Sequence, residues 1–268
     1  MAMRFSVFFM LLLLSCSSVF SQHSVARDWN EEMLHAIRND FARPTVHARN
    51  LFHGAIAMYD AWAIFNDTAT PVLLGNTFQG FSVAYDPLPI PSNPDEATHE
   101  VMSYALYRLM QHRFKDSPGA DEIFVDINQR MASYGYNLFV TSTDYSDGSY
   151  AKLGNYLASQ IIAFGLQDGS NEENDYASIF YAPVNPPLIL EVYDEIDHIN
   201  PDRWQPLAFA SFIDQSGNII PGGIPNFLSP EWGQVAPFAL DPDDLEILNN
   251  GFNSYVYNDP GAHPTIQD

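Results

Sequence analysis

One short stretch concentrates the side chains able to do chemistry. Arg49, His53 and Asp60, with His47 and Asn50 beside them, lie within Thr45 to Phe65, otherwise the most apolar segment of the chain. Steps of four and seven residues bring Arg49, His53 and Asp60 onto one helix face. A charge buried there without a partner costs several kcal/mol, so these groups must satisfy one another or pair across to a neighbouring helix. Two uses fit: an anion or proton-transfer site, or a structural network that fixes how helices dock. The second is the commoner arrangement and is the expectation.

Other chemistries find less support. A zinc site needs two or three ligands converging, yet the eight histidines are scattered and no His-Glu-x-x-His occurs. His47 and His53, six apart, fall on different helix faces. Calcium would suit the oxygens of Asp214-x-Ser216-Gly217-Asn218 and Asp144-x-x-Asp147-Gly148, but neither has EF-hand spacing and turn formation explains both. No Gly-x-Ser-x-Gly elbow, Gly-x-x-x-x-Gly-Lys loop or Gly-x-Gly-x-x-Gly fingerprint is present. Glu172-Glu173 and Asp194-Glu195 read as solvated surface rather than glycosidase carboxylates. No residue is therefore assigned a catalytic, cofactor-binding or metal-ligating role.

The elements that must position the central cluster are helical. Trp29, Met33, Leu34, Ile37 and Phe41 recur at helix spacing, behind an Asp28/Glu31 capping pair. Pro44 ends that helix or opens the next, which covers more than one face and is expected at the centre. Pro94 opens a helix to about Phe114, with Val101, Met102, Ala105, Leu106, Leu109 and Met110 on one stripe opposite Glu100, Ser103 and Gln111. Ser117-Pro118 starts another, with Ile123, Phe124, Ile127, Met131 and Tyr134 inward. Asp147 is expected to cap the last, which Gly165 stops.

Residues 22–170 thus predict an all-α bundle. Residues 171–268 read as a mostly irregular extension, since twelve of nineteen prolines lie at or beyond Pro183. It is expected to hold at most a short hairpin, Phe212-Ile213 with Ile219-Ile220, and a last short helix starting in the acidic run Asp241 to Glu246. Trp204, Trp232, Tyr255 and Tyr257 are expected to pin its loops to the bundle. The polar, Pro- and Gly-marked ending at Asp268 reads as an interruption.

Residues 1–21 have the order of a signal peptide: Arg4, an apolar run from Phe8 to Leu14, then small polar residues. Cleavage after Ser21 competes with a lipoprotein box at Leu13-Leu14-Ser15-Cys16 and is favoured, because Leu14 suits that box poorly. Export to the periplasm or the medium follows, with a lipid tether at Cys16 as the alternative. No later apolar run reaches the roughly 18 residues of a membrane span. Cys16 is the only cysteine, so cleavage after Ser21 removes disulfides and thiolate chemistry together. A net charge of −22 excludes nucleic acid as a partner. A homo-oligomer is compatible with all of this.

Three strings carry a family likeness: Ala26-Arg27-Asp28-Trp29-Asn30, Ala42-Arg43-Pro44-Thr45-Val46-His47-Ala48-Arg49-Asn50-Leu51-Phe52-His53, and Ala57-Met58-Tyr59-Asp60-Ala61-Trp62. With Asn200 to Leu207 and Phe227 to Gly233, they resemble the amino-terminal half of secreted bacterial vanadium-dependent haloperoxidase-like proteins, in the type-2 phosphatidic acid phosphatase superfamily. The resemblance implies peroxide-driven halide oxidation on bound vanadate, or phosphate-ester hydrolysis in the same pocket. That family builds its pocket from Lys-x6-Arg-Pro, Pro-Ser-Gly-His, and Ser-Arg with a later Gly-x-His. None occurs here: Arg43-Pro44 ends a first block whose lysine position is Ala36. Beyond Tyr150 the only cations are Lys152 and Arg203 among seventeen acids, too few for a multiply charged oxyanion. A carboxy-terminal catalytic half is the expected partner, and a non-catalytic secreted binding module is the alternative.

Overall fold

The computed structural model describes residues 24–189, 200, 203–213, 219–240, 244, 246–249 and 253–256. The expected signal segment, Cys16, Asp194-Glu195, the 214–218 loop and Tyr257 lie outside the described residues. Among the described residues five helices build the frame: α1 (Val25–Arg38), α2 (Pro44–Ala63), α3 (Pro94–Arg113), α4 (Ala120–Ser133) and α5 (Tyr150–Gly165). Their punctuation is local. Pro44 and Pro94 stand at first-turn positions, where a missing N–H costs nothing, and the Asn93 side chain caps α3.

Two caps differ from expectation. Ser24, not Asp28, caps α1, its hydroxyl accepting from the Arg27 N–H at 3.2 Å. Asp28 instead accepts from the Tyr134 hydroxyl at 2.7 Å. Ser149, not Asp147, caps α5, while Asp147 accepts from the Lys152 ammonium at 2.5 Å.

The centre belongs to α3, which touches each of the other four helices. It is not the one-striped helix its pattern predicts: Ser103 is wholly buried and accepts from the Trp29 indole N–H at 3.0 Å. Helix α2 buries a polar face and leaves Tyr59 and Trp62 exposed. At the crossing of α3 and α5, a Cβ on Gly154 would stand 2.5 Å from the Val101 carbonyl oxygen and 2.7 Å from Tyr104 Cβ. Glycine there sets how closely the two helices approach.

The all-α assignment is overturned by three small sheets. β1 (Thr77–Phe78) and β2 (Phe81–Ser82) form a tight hairpin about Gln79-Gly80, both at positive φ. β3 (Leu188–Ile189) runs parallel to β4 (Leu207–Ile213), which pairs antiparallel with β5 (Ile219–Gly223) where the hairpin was expected, Phe212 opposite Ile220 and Ile213 opposite Ile219. Apolar and aromatic residues favour the extended state in β4, and Pro221 is tolerated because β5 is an edge strand. The last short helix expected from Asp241 is replaced by β6 (Glu246–Asn249) paired antiparallel with β7 (Asn253–Val256). Asn250-Gly251 in the sequence between them is a strong hairpin signal.

The segment after α5 lies against the bundle. The Ala236 N–H donates to the Asp168 carbonyl at 2.8 Å and Gln79 Nε2 to the Leu240 carbonyl at 2.6 Å. The Thr45 and Ser229 hydroxyls meet, and Phe238 packs edge-on against Phe52. Among the described residues the expected tryptophan pins are not seen, since Trp232 faces Tyr176 and Trp204 stacks on Phe227, both within the extension. Among the described residues no helix is long and apolar enough to cross a membrane.

Candidate functional site

The buried polar face of α2 separates into three parts. His47 reaches the Phe41 carbonyl through Nε2 at 2.7 Å. Asp60, wholly buried, accepts from the amides of Val72 at 2.6 Å, Leu73 at 2.9 Å and Leu74 at 3.0 Å. It clamps the loop after α2 and is not part of a cluster with Arg49 and His53. Burial raises the Asp60 pKa against the opposing effect of those three amides.

Arg49 and His53 do meet, and their partners come from elsewhere in the chain. Arg49 donates through Nε to Asp168 at 2.5 Å, and through one terminal nitrogen to the Gly165 carbonyl at 2.8 Å and Glu172 Oε2 at 2.7 Å. Arg113, at the end of α3, donates to the same Glu172 oxygen at 2.5 Å and to His53 Nδ1 at 3.0 Å. His112 Nε2 lies 2.8 Å from Glu172 Oε1. The arginine and aspartate side chains are 1–2% exposed, and Glu172 is 8% exposed, so these pairs are screened little by solvent.

Local backbone holds Glu172 in place. It opens a 3₁₀ turn, Glu172–Asn174, flanked by Asn171, Asp175 and Tyr176 at φ of 58°, 53° and 61°. Asn and Asp tolerate the left-handed region, but a tyrosine there is strained and needs surrounding contacts to stay. The Tyr176 ring lies 5.8 Å from the Arg49 guanidinium carbon.

The electrostatics follow from this packing. Burial would raise Glu172, yet the His112 hydrogen bond and the Arg113 and Arg49 charges outweigh it and hold the carboxyl at about 2. Burial, then the Arg49 and Arg113 charges, hold His53 well below the usual histidine value. With His53 neutral, two guanidiniums face two carboxylates and the cluster is close to charge-balanced. Outside it opens a cleft of about 710 Å³ lined by Asn50, His112, Arg113, Ser117, Glu172 and Tyr176, among others. Three buried atoms of the lining, Asn50 Oδ1, Arg113 Nε and Ser117 Oγ, have no hydrogen-bond partner among the described residues.

Sequence reasoning reached Arg49, His53 and Asn50 but not Arg113, His112, Asp168, Glu172 or Tyr176. Glu172-Glu173 reads as solvated surface, and only Glu173 is exposed. The available signal was a balance of charge: Arg49 on an inward helix needed an acid, and the first acids after the Gly165 stop are Asp168 and Glu172.

No family model and no curated protein matches this sequence. Solved structures do match in fold. An apo-type bacterial vanadium-dependent chloroperoxidase superposes with a TM-score of 0.55 at 17% identity, over 77% of this chain and 42% of that one. A holo-type bacterial vanadium-dependent chloroperoxidase gives a TM-score of 0.56 at 19% identity with the same coverage. The chain thus spans less than half the length of the chloroperoxidases it matches, in keeping with the expected likeness to their amino-terminal half. At such identities the likeness is one of fold.

Proposed function

We propose that this chain is the helical scaffold portion of an exported haloperoxidase-like protein, and that its buried ion network locks helices together rather than holding an oxyanion. The fold likeness supports the first part. One observation carries the second: the two buried guanidiniums of the cluster are already engaged by carboxylates, sharing Glu172 Oε2. Vanadate or phosphate needs free N–H donors converging on its oxygens. Arg49 Nη1 and Arg113 Nε have no partner among the described residues, but Asp168 and Glu172 stand against the same guanidiniums and would repel such an ion, so these residues do not fit it. Halide oxidation, or phosphate-ester hydrolysis, is proposed for the longer protein only, with the oxyanion pocket on a carboxy-terminal half.

The chain lacking residues 1–21, given vanadate, bromide and peroxide, is expected to brominate a β-diketone no faster than free vanadate does. A rate above that background overturns the proposal. Export is tested by fractionation: the full chain should leave the cytoplasm and the truncated one should stay, and Cys16→Ser changes membrane retention only if Cys16 is lipidated.

A second reading, a secreted binding module without catalysis, draws on the cleft beside the network and its three buried atoms without a partner. The reading frame after codon 268 separates the two. Lys-x6-Arg-Pro and Pro-Ser-Gly-His in that frame support the enzyme scaffold, and a stop codon supports the module.

A further inference from the structure

We propose that α1 and α4 bind a divalent transition-metal ion between His35, Glu122 and Asp126. One ligand atom from each of the three lies within 4.8 Å of the others. The histidine comes from the last turn of α1, and the two carboxylates stand four residues apart on one face of α4. Imidazole with two carboxylates is the donor set of zinc and its neighbours, with a fourth position left to water.

The seam between the two helices shows why this place differs from its surroundings. On one side of His35, Tyr134 donates to Asp28 at 2.7 Å and Arg130 Nε to Glu32 at 2.9 Å. On the other, the Gly119 amide donates to the Asn39 carbonyl at 3.0 Å, and the chains are so close that a Cβ on Gly119 would stand 2.6 Å from Asn39 Cβ. Both flanks are therefore fixed by ordinary hydrogen bonds and contact. Between them, His35 Nε2 stands 3.6 Å from Glu122 and Nδ1 stands 3.5 Å from Asp126. Those separations are too long for hydrogen bonds. One ring nitrogen of His35 serves one ion, so one of these two separations would be a ligand–ligand distance, which bonds of about 2.0–2.2 Å at a tetrahedral angle put at roughly 3.3–3.6 Å, and all three ligand atoms stay within 4.8 Å of one another.

The frame is held while the ligands keep room to adjust. Asp126 and His35 are about one-third exposed and Glu122 is 65% exposed, so Glu122 can swing inward without disturbing the core. A cleft of about 540 Å³ runs along the same seam and admits solvent to the open coordination position. Arg38 and Arg130 also line it, but Arg130 is already tied to Glu32. His35 lies far in sequence from Glu122 and Asp126 and on a different helix, which hides the set from any spacing rule.

The test uses the full chain, Zn²⁺ by titration calorimetry, and Co²⁺ by visible absorption. The expected results are one Zn²⁺ per chain, a raised melting temperature, and the Co²⁺ d–d bands of a low-symmetry site. His35→Ala and Asp126→Asn should each weaken binding by about tenfold or more, as loss of a coordinating group does. Both positions are partly exposed, so the metal-free melting temperature should stay near that of the parent chain, which separates loss of a ligand from loss of fold. Absence of stoichiometric Zn²⁺ binding overturns the proposal. So does binding that survives His35→Ala with Asp126→Asn, or Ca²⁺ binding as strong as Zn²⁺, because Ca²⁺ selects oxygen and leaves the imidazole without a role.

Discussion

Arg113 donates to Nδ1 of His53 across 3.0 Å. A guanidinium has no acceptor, so that ring nitrogen carries no proton and the remaining one sits on Nε2, 3.7 Å from Asp168. Burial and two arginine charges also keep His53 from taking a second proton. His53 is therefore expected to stay neutral in the Nε2–H form from roughly pH 5 to 8, where a free histidine titrates. Nitrogen-15 spectra of the folded chain check this, and an imidazolium signal from His53 near pH 6 contradicts it. The sign for stability follows: the unfolded chain takes up this proton first as pH drops below about 6.5. Folding should weaken from there downward.

Glu172 adds a second, more acidic window. Its carboxyl is held at about 2 in the fold, below its unfolded value of about 4.3. The stability it contributes is complete above that unfolded value and is lost as pH falls towards 2. Glu172→Ala removes an acceptor shared by two buried guanidiniums, an effect of about 3–5 kcal/mol. Glu172→Gln should cost less and flatten the pH dependence between about 4 and 2. Urea unfolding midpoints across that range distinguish the variants. Equal midpoints for Glu172→Ala and the parent chain would show that the network contributes no stability.

How far these features could be read from sequence depends on how local they are. The helices were legible because Pro44, Pro94 and Gly165 act on their own neighbours. The sequence puts the cap of α1 after Ser24 and the cap of α5 before Ser149, because Asp28 and Asp147 are attractive capping residues whose carboxylates are used otherwise, by Tyr134 and Lys152. The strands were partly legible: β4 and β5 stood out, whereas the acidic run before Glu246 masked a hairpin signal at Asn250-Gly251. A smaller part of the ion network was visible, since Arg49 and His53 interrupt an apolar helix. Arg113 and Glu172 were not, because nothing near either residue in sequence marks it as buried.

Asp60 offers a test that separates it from the network. Its two oxygens take three backbone amides at the start of the loop after α2. Asp60→Ala leaves two buried donors and one half-buried donor without an acceptor, at about 1–3 kcal/mol for each that stays dry. A loss of about 3 kcal/mol or more is expected, with faster hydrogen exchange at Val72, Leu73 and Leu74. Asp60→Asn keeps one acceptor oxygen and should fall between. Unchanged exchange at those amides in Asp60→Ala would mean that the loop is held by its packing alone.

Gly154 tests whether the bundle depends on the close approach of α3 and α5. An added methyl would stand 2.5 Å from the Val101 carbonyl oxygen, and a backbone atom inside a helix cannot move aside cheaply. Gly154→Ala should destabilise by about 1–3 kcal/mol despite the better helix propensity of alanine. Gly148→Ala is the control: nothing lies within 4 Å of its added carbon, but its φ of +83° penalises any side chain. That variant should lose about 1 kcal/mol through backbone strain, without disturbing the core. Aromatic proton shifts of Tyr104 should therefore move in Gly154→Ala and stay fixed in Gly148→Ala. If Gly154→Ala instead raises the melting temperature, the two helices do not cross as closely as described and helix propensity decides the outcome.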